Sequence, residues 1–235
     1  AILYVSPFGY PVSLKIMNNI KKKFKIPVIY DAADAFLNLK KLSTLKEIFI
    51  TCSFHPTKTF PANESGLILY PKKHHNFFNR LINHRSSNSN KGKINNLIYG
   101  FNGKASEYDC AIFLANFKKI EKKTSELKKI NIFFKKNLNK NFLFQPRYGD
   151  WVSNKVIFFT KVGRTKLKKI LNRFNINLYK IWSDKCMHEY TEYANHFKTT
   201  MKNSLNYKKV INTFFIDKRF NRPFLKKLCD ELNKL

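Results

Sequence analysis

The first thirty-one residues contain a strand, a helix and a second strand in close succession. AILYVS at 1–6 is an apolar strand pattern that ends in the turn PFGYP, and PVIYD at 27–31 is a second strand pattern. Between them a helical pattern runs from Ser13 to Phe24, with apolar residues on one side and lysines on the other. A strand–helix–strand unit of this length joins two parallel strands. The chain is therefore predicted to be an α/β protein with a mainly parallel sheet.

Two more strands follow, and one of them carries polar residues at its end. EIFIT at 47–51 and LILY at 67–70 have strand patterns, while 74–84 and 105–138 have helical ones and 85–96 is a polar loop. In open α/β sheets, ligands bind where the carboxyl ends of the strands meet the following loops. Asp31 ends one strand, and Ser53 and Lys58 follow another. These three residues are the first candidates for a functional site.

The second half of the chain has a different character. KVIFFT at 155–160 and INLYKIW at 176–182 have strand patterns, and TKLKKILNRFN at 165–175 and RPFLKKLCDELNKL at 222–235 have helical ones. We expect residues 1–118 to form the C-terminal part of a large domain and 119–138 a linking helix. Residues 139–235 are expected to form a small α+β domain.

The chain is strongly basic, with 45 lysines and arginines against 15 acids and a net charge of +30. A charge of this size is typical of proteins that bind nucleic acid or an anionic membrane. Arginine, which makes most bidentate contacts to phosphate and guanine, is scarce, and the lysines are spread over the whole length. A general drift of the amino-acid composition towards lysine explains this pattern better than binding to nucleic acid does. A basic nucleic-acid-binding protein remains an alternative.

Cysteine and histidine give no support for a metal site or a disulfide framework. The four cysteines at 52, 110, 186 and 229 form no CxxC pair, and HExxH is absent among the six histidines. No run approaches the roughly 18 apolar residues of a membrane span, and the apolar start lacks a basic leader and a cleavage pattern. We expect a protein of a reducing, cytoplasmic setting, with no metal and no membrane partner.

The residues after the two strand ends match the needs of a pyridoxal phosphate site. A lysine amine such as that of Lys58 can form a Schiff base, and a carboxylate such as that of Asp31 can pair with the protonated pyridine nitrogen. Ser53 and Thr57 supply hydroxyls for a phosphate. From spacing alone, however, an acid at a strand end is more often a cap, and a lysine in this chain is more often a solvated surface group.

Three motifs in order strengthen that interpretation. DAADAF at 31–36, SFHPTKTF at 53–60 and YGFNGKASEYDCAIFLANF at 99–117 resemble the DegT–DnrJ–StrS family of sugar aminotransferases, and weaker likeness extends over essentially the whole chain. The family has the fold of the fold type I, aspartate-aminotransferase-like enzymes. The resemblance thus implies an incomplete large domain of that fold, followed by the small α+β domain.

The resemblance also implies roles for individual residues. Lys58 would be the catalytic lysine that binds pyridoxal 5′-phosphate, Asp31 would hold its ring nitrogen, and Ser53 would contact its phosphate. Asn102 would reach the phosphate of the partner subunit's cofactor in a homodimer. His55 lies in the same motif, where contact with the cofactor and ordinary packing are equally expected. Asp34 stands where the family usually has Gln or His near the phenolic oxygen, which a carboxylate would repel unless it is protonated or turned away.

The implied activity is transfer of an amino group from an amino acid, expected to be glutamate, to a keto-sugar nucleotide. The product would be an aminosugar nucleotide for a surface polysaccharide. Family members carry a further N-terminal part, with a Gly/Thr-rich phosphate loop that these residues lack, so the chain is expected to be truncated. A catalytically incomplete remnant of such an enzyme is therefore the main alternative.

Overall fold

The structure is a computed structural model that describes residues 1–11, 13–39, 48–83, 100–179, 185–196 and 201–235. The chain forms two compact units, Ala1–Lys123 and Thr124–Leu235. The division lies inside the segment that the sequence predicts as a linking helix. The predicted loop at 85–96 and part of the predicted strand at 176–182 lie outside the described residues.

The first unit is built on a four-stranded sheet. Its strands and helices are β1 (Ile2–Val5), α1 (Leu14–Phe24), β2 (Val28–Asp31), β3 (Phe49–Ser53), β4 (Gly66–Leu69), α2 (His75–Ile82) and α3 (Glu107–Phe117). Short 3₁₀ helices lie at Pro7–Gly9, Phe36–Asn38 and Lys72–His74. The strand order is β1-β2-β3-β4, in which β1, β2 and β3 run parallel and β4 pairs antiparallel with β3. The prediction of a mainly parallel sheet in an α/β chain is confirmed.

Helix α1 forms because its ends are capped and one of its sides is apolar. The Ser13 hydroxyl accepts a hydrogen bond from the Ile16 amide at the start of the helix. Lys25 adopts a left-handed conformation, and its amide donates to the Lys21 carbonyl, which ends the helix. Met17 is fully buried on the inner side. The helix thus connects β1 and β2 as the strand–helix–strand pattern requires.

The pairing of β1, β2 and β3 brings their carboxyl ends to one edge of the sheet. Asp31 lies opposite Val5 on one side and Thr51 on the other. The Ala32 amide donates to the Thr51 carbonyl, and the Ser6 amide donates to the Asp31 carbonyl, so the pairing continues to the last residue of β2. The loops that carry the candidate residues therefore begin side by side.

Strand β1 forms one edge of this sheet. Leu3 and Val5 are 62% and 50% exposed, whereas Val28 and Tyr30 of the neighbouring strand are buried. Among the described residues, only β2 pairs with β1. The apolar side chains of β1 are thus left at the surface of this unit.

The second unit is an α+β arrangement around a two-stranded antiparallel sheet. Its elements are α4 (Ile120–Asn137, which crosses the division), β5 (Lys155–Phe159), α5 (Arg164–Arg173), α6 (Thr191–Ala194), α7 (Lys202–Val210), β6 (Ile211–Phe215) and α8 (Arg222–Leu232). A 3₁₀ helix lies at Met187–Glu189, and β5 pairs with β6. Phe134, Phe158, Leu167, Phe214 and Leu228, one from each of five elements, are fully buried together.

Of the strand predicted at 176–182, residues 176–178 do not form a strand. Residues 176–179 form only a single bridge, between Tyr179 and Thr213, and the strand that pairs with β5 is Ile211–Phe215, which the sequence patterns missed. Ile176 and Leu178 are buried in the core next to α5 and α8. Their alternating apolar pattern thus coincides with burial in the core, and the segment meets the sheet only where Tyr179 pairs with Thr213 of β6.

A buried polar network lies between α4 and β5. The Tyr148 hydroxyl donates to Asn131 Oδ1 over 2.9 Å, and Asn131 Nδ2 donates to the Ser153 carbonyl over 3.1 Å. Tyr148 and Asn131 are both buried, and burial raises the pKa of the Tyr148 phenol. The phenol is therefore neutral and serves as a donor whose loss would leave Asn131 without its partner.

Within the described ranges, no helix is long and apolar enough to cross a membrane.

We predict that Tyr148→Phe destabilises the second unit by about 1–2 kcal/mol, because Asn131 Oδ1 would stay buried without its donor. Urea unfolding followed by tryptophan fluorescence measures this, since Trp151 is buried in this unit.

The matched control is Tyr207→Phe, which removes a hydroxyl from a side chain that is 59% exposed. It should change the free energy of unfolding by less than about 0.5 kcal/mol. Equal effects of the two substitutions would contradict the role of the buried network.

Candidate active site

Asp31 is the last residue of β2 and lies at the carboxyl edge of the sheet. Its side chain is half-buried, and Oδ1 accepts a hydrogen bond from the Ala33 amide over 3.0 Å. This turn directs the chain from the strand into the short helix at Phe36–Asn38. Asp31 Oδ1 thus stabilises the backbone turn after β2. The carboxylate lies at the end of this strand, which is the position that the sequence predicts.

Asp31 also affects its neighbour on β3. Burial raises the pKa of the Cys52 thiol to about 12, with a smaller contribution from the negative charge of Asp31. Cys52 is therefore a protonated, unreactive thiol at neutral pH. The carboxylate of Asp31 lies within electrostatic reach of the end of β3, where Ser53 follows directly.

Ser53 and His55 shape the loop that leaves β3. Ser53 Oγ accepts a hydrogen bond from the His55 amide over 3.3 Å, which leaves the proton of the Ser53 hydroxyl for another acceptor. His55 Nδ1 lies 2.8 Å from Thr57 Oγ1 and accepts from the Thr57 amide, and its Nε2 lies 3.4 Å from Glu64 Oε1. Both ring nitrogens of His55 are thus used within the loop.

Lys58 pairs with Asp34 across the two loops. Lys58 Nζ lies 3.9 Å from Asp34 Oδ1, and the two side chains are 23% and 7% exposed. The Lys58 amide donates to the His55 carbonyl, which closes a tight turn before the lysine. A nearly buried carboxylate needs a cationic or donor partner. The structure thus places the lysine amine beside an acid of the DAADAF motif, 24 positions earlier in the chain.

Phenylalanines form an apolar floor beneath these loops. The rings of Phe36, Phe54, Phe60 and Phe113 contact one another with centroids 4.9–5.9 Å apart. They come from the loop after β2, the loop after β3 and helix α3. Offset and edge-to-face aromatic pairs of this kind add about 0.5–1.5 kcal/mol each to the burial of their area. The floor therefore fixes the Asp34 and Lys58 loops to each other.

Helix α3 also holds the Lys58 loop through two side-chain hydrogen bonds. Asn116 Nδ2 donates to the Pro61 carbonyl over 2.9 Å, and Asn63 Nδ2 donates to Asp109 Oδ1 over 2.6 Å. Asp109 is part of a capping box with Ser106 at the start of α3. The Ser106 hydroxyl and the Asn63 amide hold the pKa of Asp109 below its usual value. The same carboxylate thus caps the helix and binds the loop.

Asn102 lies in a different setting from the other predicted site residues. It forms a bridge with Asn83 at the end of α2, and the amides of Phe101 and Gly103 donate to the carbonyls of Leu81 and Ile82. Asn102 is exposed. The contacts of the described residues bring Asp31, Asp34, Ser53, His55 and Lys58 to one edge of the sheet and do not join Asn102 to them.

The supporting residues Glu64, Asn63 and Asn116 were not predicted from the sequence, and Thr57, expected to serve a phosphate, contacts His55. Thr57 and His55 are two positions apart, a spacing at which a local turn is common, so this contact had a weak signal. The bonds of Asn63 and Asn116 span 46 and 55 residues, and no local pattern indicates them.

Other reactive groups are spread over the chain. All four cysteines are free thiols, with Cys52 and Cys229 buried. Within the part of the chain that the structure describes, no group of three or more His, Cys, Asp or Glu residues could hold a metal ion.

Comparison with solved structures shows which class of fold carries this site. A PLP-dependent aminotransferase from Bacillus cereus ATCC 10987 matches 99% of this chain with a TM-score of 0.80 and 23% identity, over 65% of its own length. A DegT/DnrJ/EryC1/StrS aminotransferase from Brucella abortus matches the whole chain with a TM-score of 0.81 and 17% identity, over 64% of its length. The fold is therefore that of the fold type I aminotransferases.

Sequence comparison narrows this class to a family. The model of the DegT/DnrJ/EryC1/StrS aminotransferase family matches residues 1–222, so the chain belongs to that family. A curated relative from Campylobacter jejuni subsp. jejuni serotype O:23/36 (strain 81-176), UDP-4-amino-4,6-dideoxy-N-acetyl-beta-L-altrosamine transaminase, is 27% identical over 150 residues. That match covers 61% of this chain and 39% of the relative, so the chain spans well under two thirds of the relative's length.

The residues at the sheet edge fit the cofactor that this family implies. Pyridoxal phosphate needs a primary amine, a carboxylate for its ring nitrogen and hydrogen-bond donors for its phosphate. The edge offers Lys58, Asp31 and the remaining proton of the Ser53 hydroxyl. Asp34 is a second, nearly buried carboxylate beside the amine, and its negative charge is an addition to that set.

We predict that Asn116→Ala loosens the Lys58 loop without unfolding the unit. The amide of Ala62, which donates to the Phe54 carbonyl, should exchange its hydrogen roughly five- to tenfold faster, because one partly buried hydrogen bond that fixes the loop is lost. Amide hydrogen exchange read by NMR measures this.

Asn172→Ala, in an exposed position of α5, is the control and should leave the Ala62 exchange rate unchanged. An unchanged rate in Asn116→Ala as well would show that α3 does not fix the loop.

Proposed function

We propose that this chain takes part in the transfer of an amino group, with pyridoxal phosphate as cofactor, to a keto-sugar nucleotide. The observation that carries the proposal is the amine of Lys58, 3.9 Å from the nearly buried Asp34 at the carboxyl edge of the sheet. Family membership and the name of the Campylobacter relative support the reaction type and the nucleotide-sugar class. An amino acid, expected to be glutamate, would supply the amino group.

Each residue of the edge has a proposed task. Lys58 Nζ would condense with the aldehyde of the cofactor, and the Asp31 carboxylate would hold the proton on the ring nitrogen. The Ser53 hydroxyl would donate to the phosphate, and Asn102 would do so for the partner subunit's cofactor. His55, whose ring nitrogens contact Thr57 and Glu64, would act by holding the loop in shape.

The bound cofactor supplies a conjugated ring that accepts the electron pair released when a C–H bond next to the amino group breaks. Lys58 Nζ, once released, would take that proton and return it to the neighbouring carbon. The donor amino acid and the sugar nucleotide would react in turn at the same site, which is a ping-pong sequence.

Asp34 would balance the charge on Lys58 through this sequence. While the amine is an ammonium, the two charges lie 3.9 Å apart and compensate each other at a site with little solvent. When Lys58 Nζ loses its positive charge, this compensation of the Asp34 carboxylate is lost.

We also propose that a second copy of this chain covers helix α3. The helix is apolar on nearly all sides, yet Tyr108, Leu114 and Phe117 are 71%, 59% and 46% exposed, and none of its residues is buried. Helices that are apolar all round are normally buried in an assembly. A homodimer would bury this surface and bring Asn102, just before α3, close to the partner subunit. A cytoplasmic location belongs to the same proposal, supported by the four free thiols.

The assignment of Lys58 predicts a specific covalent adduct. After incubation with pyridoxal phosphate and reduction with borohydride, the reduced adduct should map by peptide mass spectrometry to the segment that contains Lys58. Lys58→Arg should lose that adduct, and Asp31→Asn should reduce its yield several-fold, because the ring nitrogen loses its carboxylate.

Lys166→Arg, at an exposed lysine of α5, is the control and should leave the adduct unchanged. If the label is spread over many lysines with no preference for Lys58, the proposed catalytic role is wrong, and the chain fits a catalytically incomplete remnant.

The proposed dimer predicts a mass in solution of about twice the 27.8 kDa of one chain. Leu114→Lys should shift the sedimentation coefficient towards the monomer, because it places a charge in the apolar surface of α3. Leu143→Lys, at a leucine that is 61% exposed in the second unit, is the matched control. A wild-type chain that stays monomeric at high concentration would rule out this dimer.

A further inference from the structure

A basic cleft opens at the amino end of the sheet, opposite the candidate active site. It has a volume of about 470 Å³ and lies between the last turn of α1, the start of β3 and the segment after β4. Phe49 begins β3 and Ser53 ends it, so the two ends of this strand are roughly 13 Å apart. The cleft is therefore separate from the residues around Lys58. Its lining includes Lys21, Lys22, Lys25, Lys73, Phe49 and His74.

The residues that line this cleft, as far as the structure describes them, carry a positive net charge. None of the lining residues is acidic. Residues 1–30 contain five lysines and no acid, and residues 65–106 also contain no acid. The described acids of the first unit are Asp31, Asp34, Glu64, Glu107, Asp109 and Glu121. Asp31 and Asp34 lie at the opposite end of the sheet, with Lys58.

The helix end accounts for only part of this cluster. Lys21 and Lys22 lie in the last turn of α1, where cations compensate the negative end of the helix dipole. Lys25 follows the helix, and Lys73 comes from the segment after β4, almost fifty residues later. Two separate segments thus bring cations to one cleft. Compensation of the α1 dipole does not explain the cation from the segment after β4.

The cleft also has an apolar wall. The rings of Phe49 and His74 lie side by side, with centroids 5.1 Å apart and planes inclined by 48°. Ile26 and Pro71 complete this surface. Lysines bind phosphate as point charges, and an aromatic face can stack on a planar base. A volume of this size is within the range of small-molecule sites.

We propose that this cleft binds a nucleoside di- or triphosphate, with the lysines on the phosphates and the Phe49–His74 wall against the base. Such a site goes beyond the proposed transfer reaction, because it lies at the other end of the sheet from Lys58. Its occupancy does not depend on the cofactor or on Lys58. The test below can therefore fail without affecting the Lys58 assignment, and the reverse also holds.

The test is a calorimetric titration of the chain with adenosine triphosphate, tripolyphosphate and a single-stranded oligonucleotide. We expect adenosine triphosphate to bind more tightly than tripolyphosphate, because only the nucleotide contacts the apolar wall. Lys22→Gln, Lys25→Gln and Lys73→Gln combined should weaken its binding by roughly tenfold or more, since three charged contacts are removed.

The control combines Lys168→Gln, Lys169→Gln and Lys226→Gln, which are exposed helix positions of the second unit. It lowers the net charge by the same three units, from +30 to +27, and should leave binding unchanged. An equal loss in both triple variants would show non-specific attraction to a basic chain and overturn the proposal. Tighter binding of the oligonucleotide at the same lysines would overturn the small-ligand assignment in favour of nucleic acid.

A measurement on the wild-type chain avoids any effect of substitution on folding. Adenosine triphosphate should slow acetylation of Lys22, Lys25 and Lys73 several-fold relative to Lys168, as read by peptide mass spectrometry. Uniform protection of all four lysines, or none, would contradict a site in this cleft.

Discussion

The parallel pairing of the first three strands is the constraint on which the candidate site depends. Asp31 lies opposite Thr51, and this register continues through the bond from the Ala32 amide to the Thr51 carbonyl. A shift of one residue would turn every side chain of β2 to the other face of the sheet. The loops after β2 and β3 therefore leave the sheet together only in this register, and Asp34 meets Lys58 as a consequence.

Aromatic packing beneath the loops after β2 and β3 fixes the positions of these two loops relative to each other. The cluster of Phe36, Phe54, Phe60 and Phe113 is contributed by both loops and by α3, so each loop is fixed through the others. Asn116 of α3 adds a directional bond to the Lys58 loop. The Lys58 and Asp34 side chains thus belong to loops that this phenylalanine cluster packs together. Packing of the loops keeps the lysine amine beside a nearly buried carboxylate.

The two ends of the sheet have opposite chemical characters. The carboxyl edge holds Asp31 and the Asp34–Lys58 pair, while several lysines line a cleft at the amino edge. Net charge alone does not describe this protein, because Asp34 lies nearly buried beside Lys58 whereas the cleft lining carries only basic charges. The high lysine content of the chain thus has different consequences at the two ends.

The sequence by itself determined the strand–helix–strand unit, the mainly parallel sheet and the residue types of the site, because these follow from local periodicity and from motifs within a few residues. It did not determine the contact between Asp34 and Lys58, the bonds from α3 to the loop, or the pairing of Ile211–Phe215 with β5. It also misassigned residues 176–178, whose alternating pattern is equally typical of core residues outside a strand. Each of these features joins segments far apart in the chain, and only the packing of the tertiary structure decides which distant segments meet.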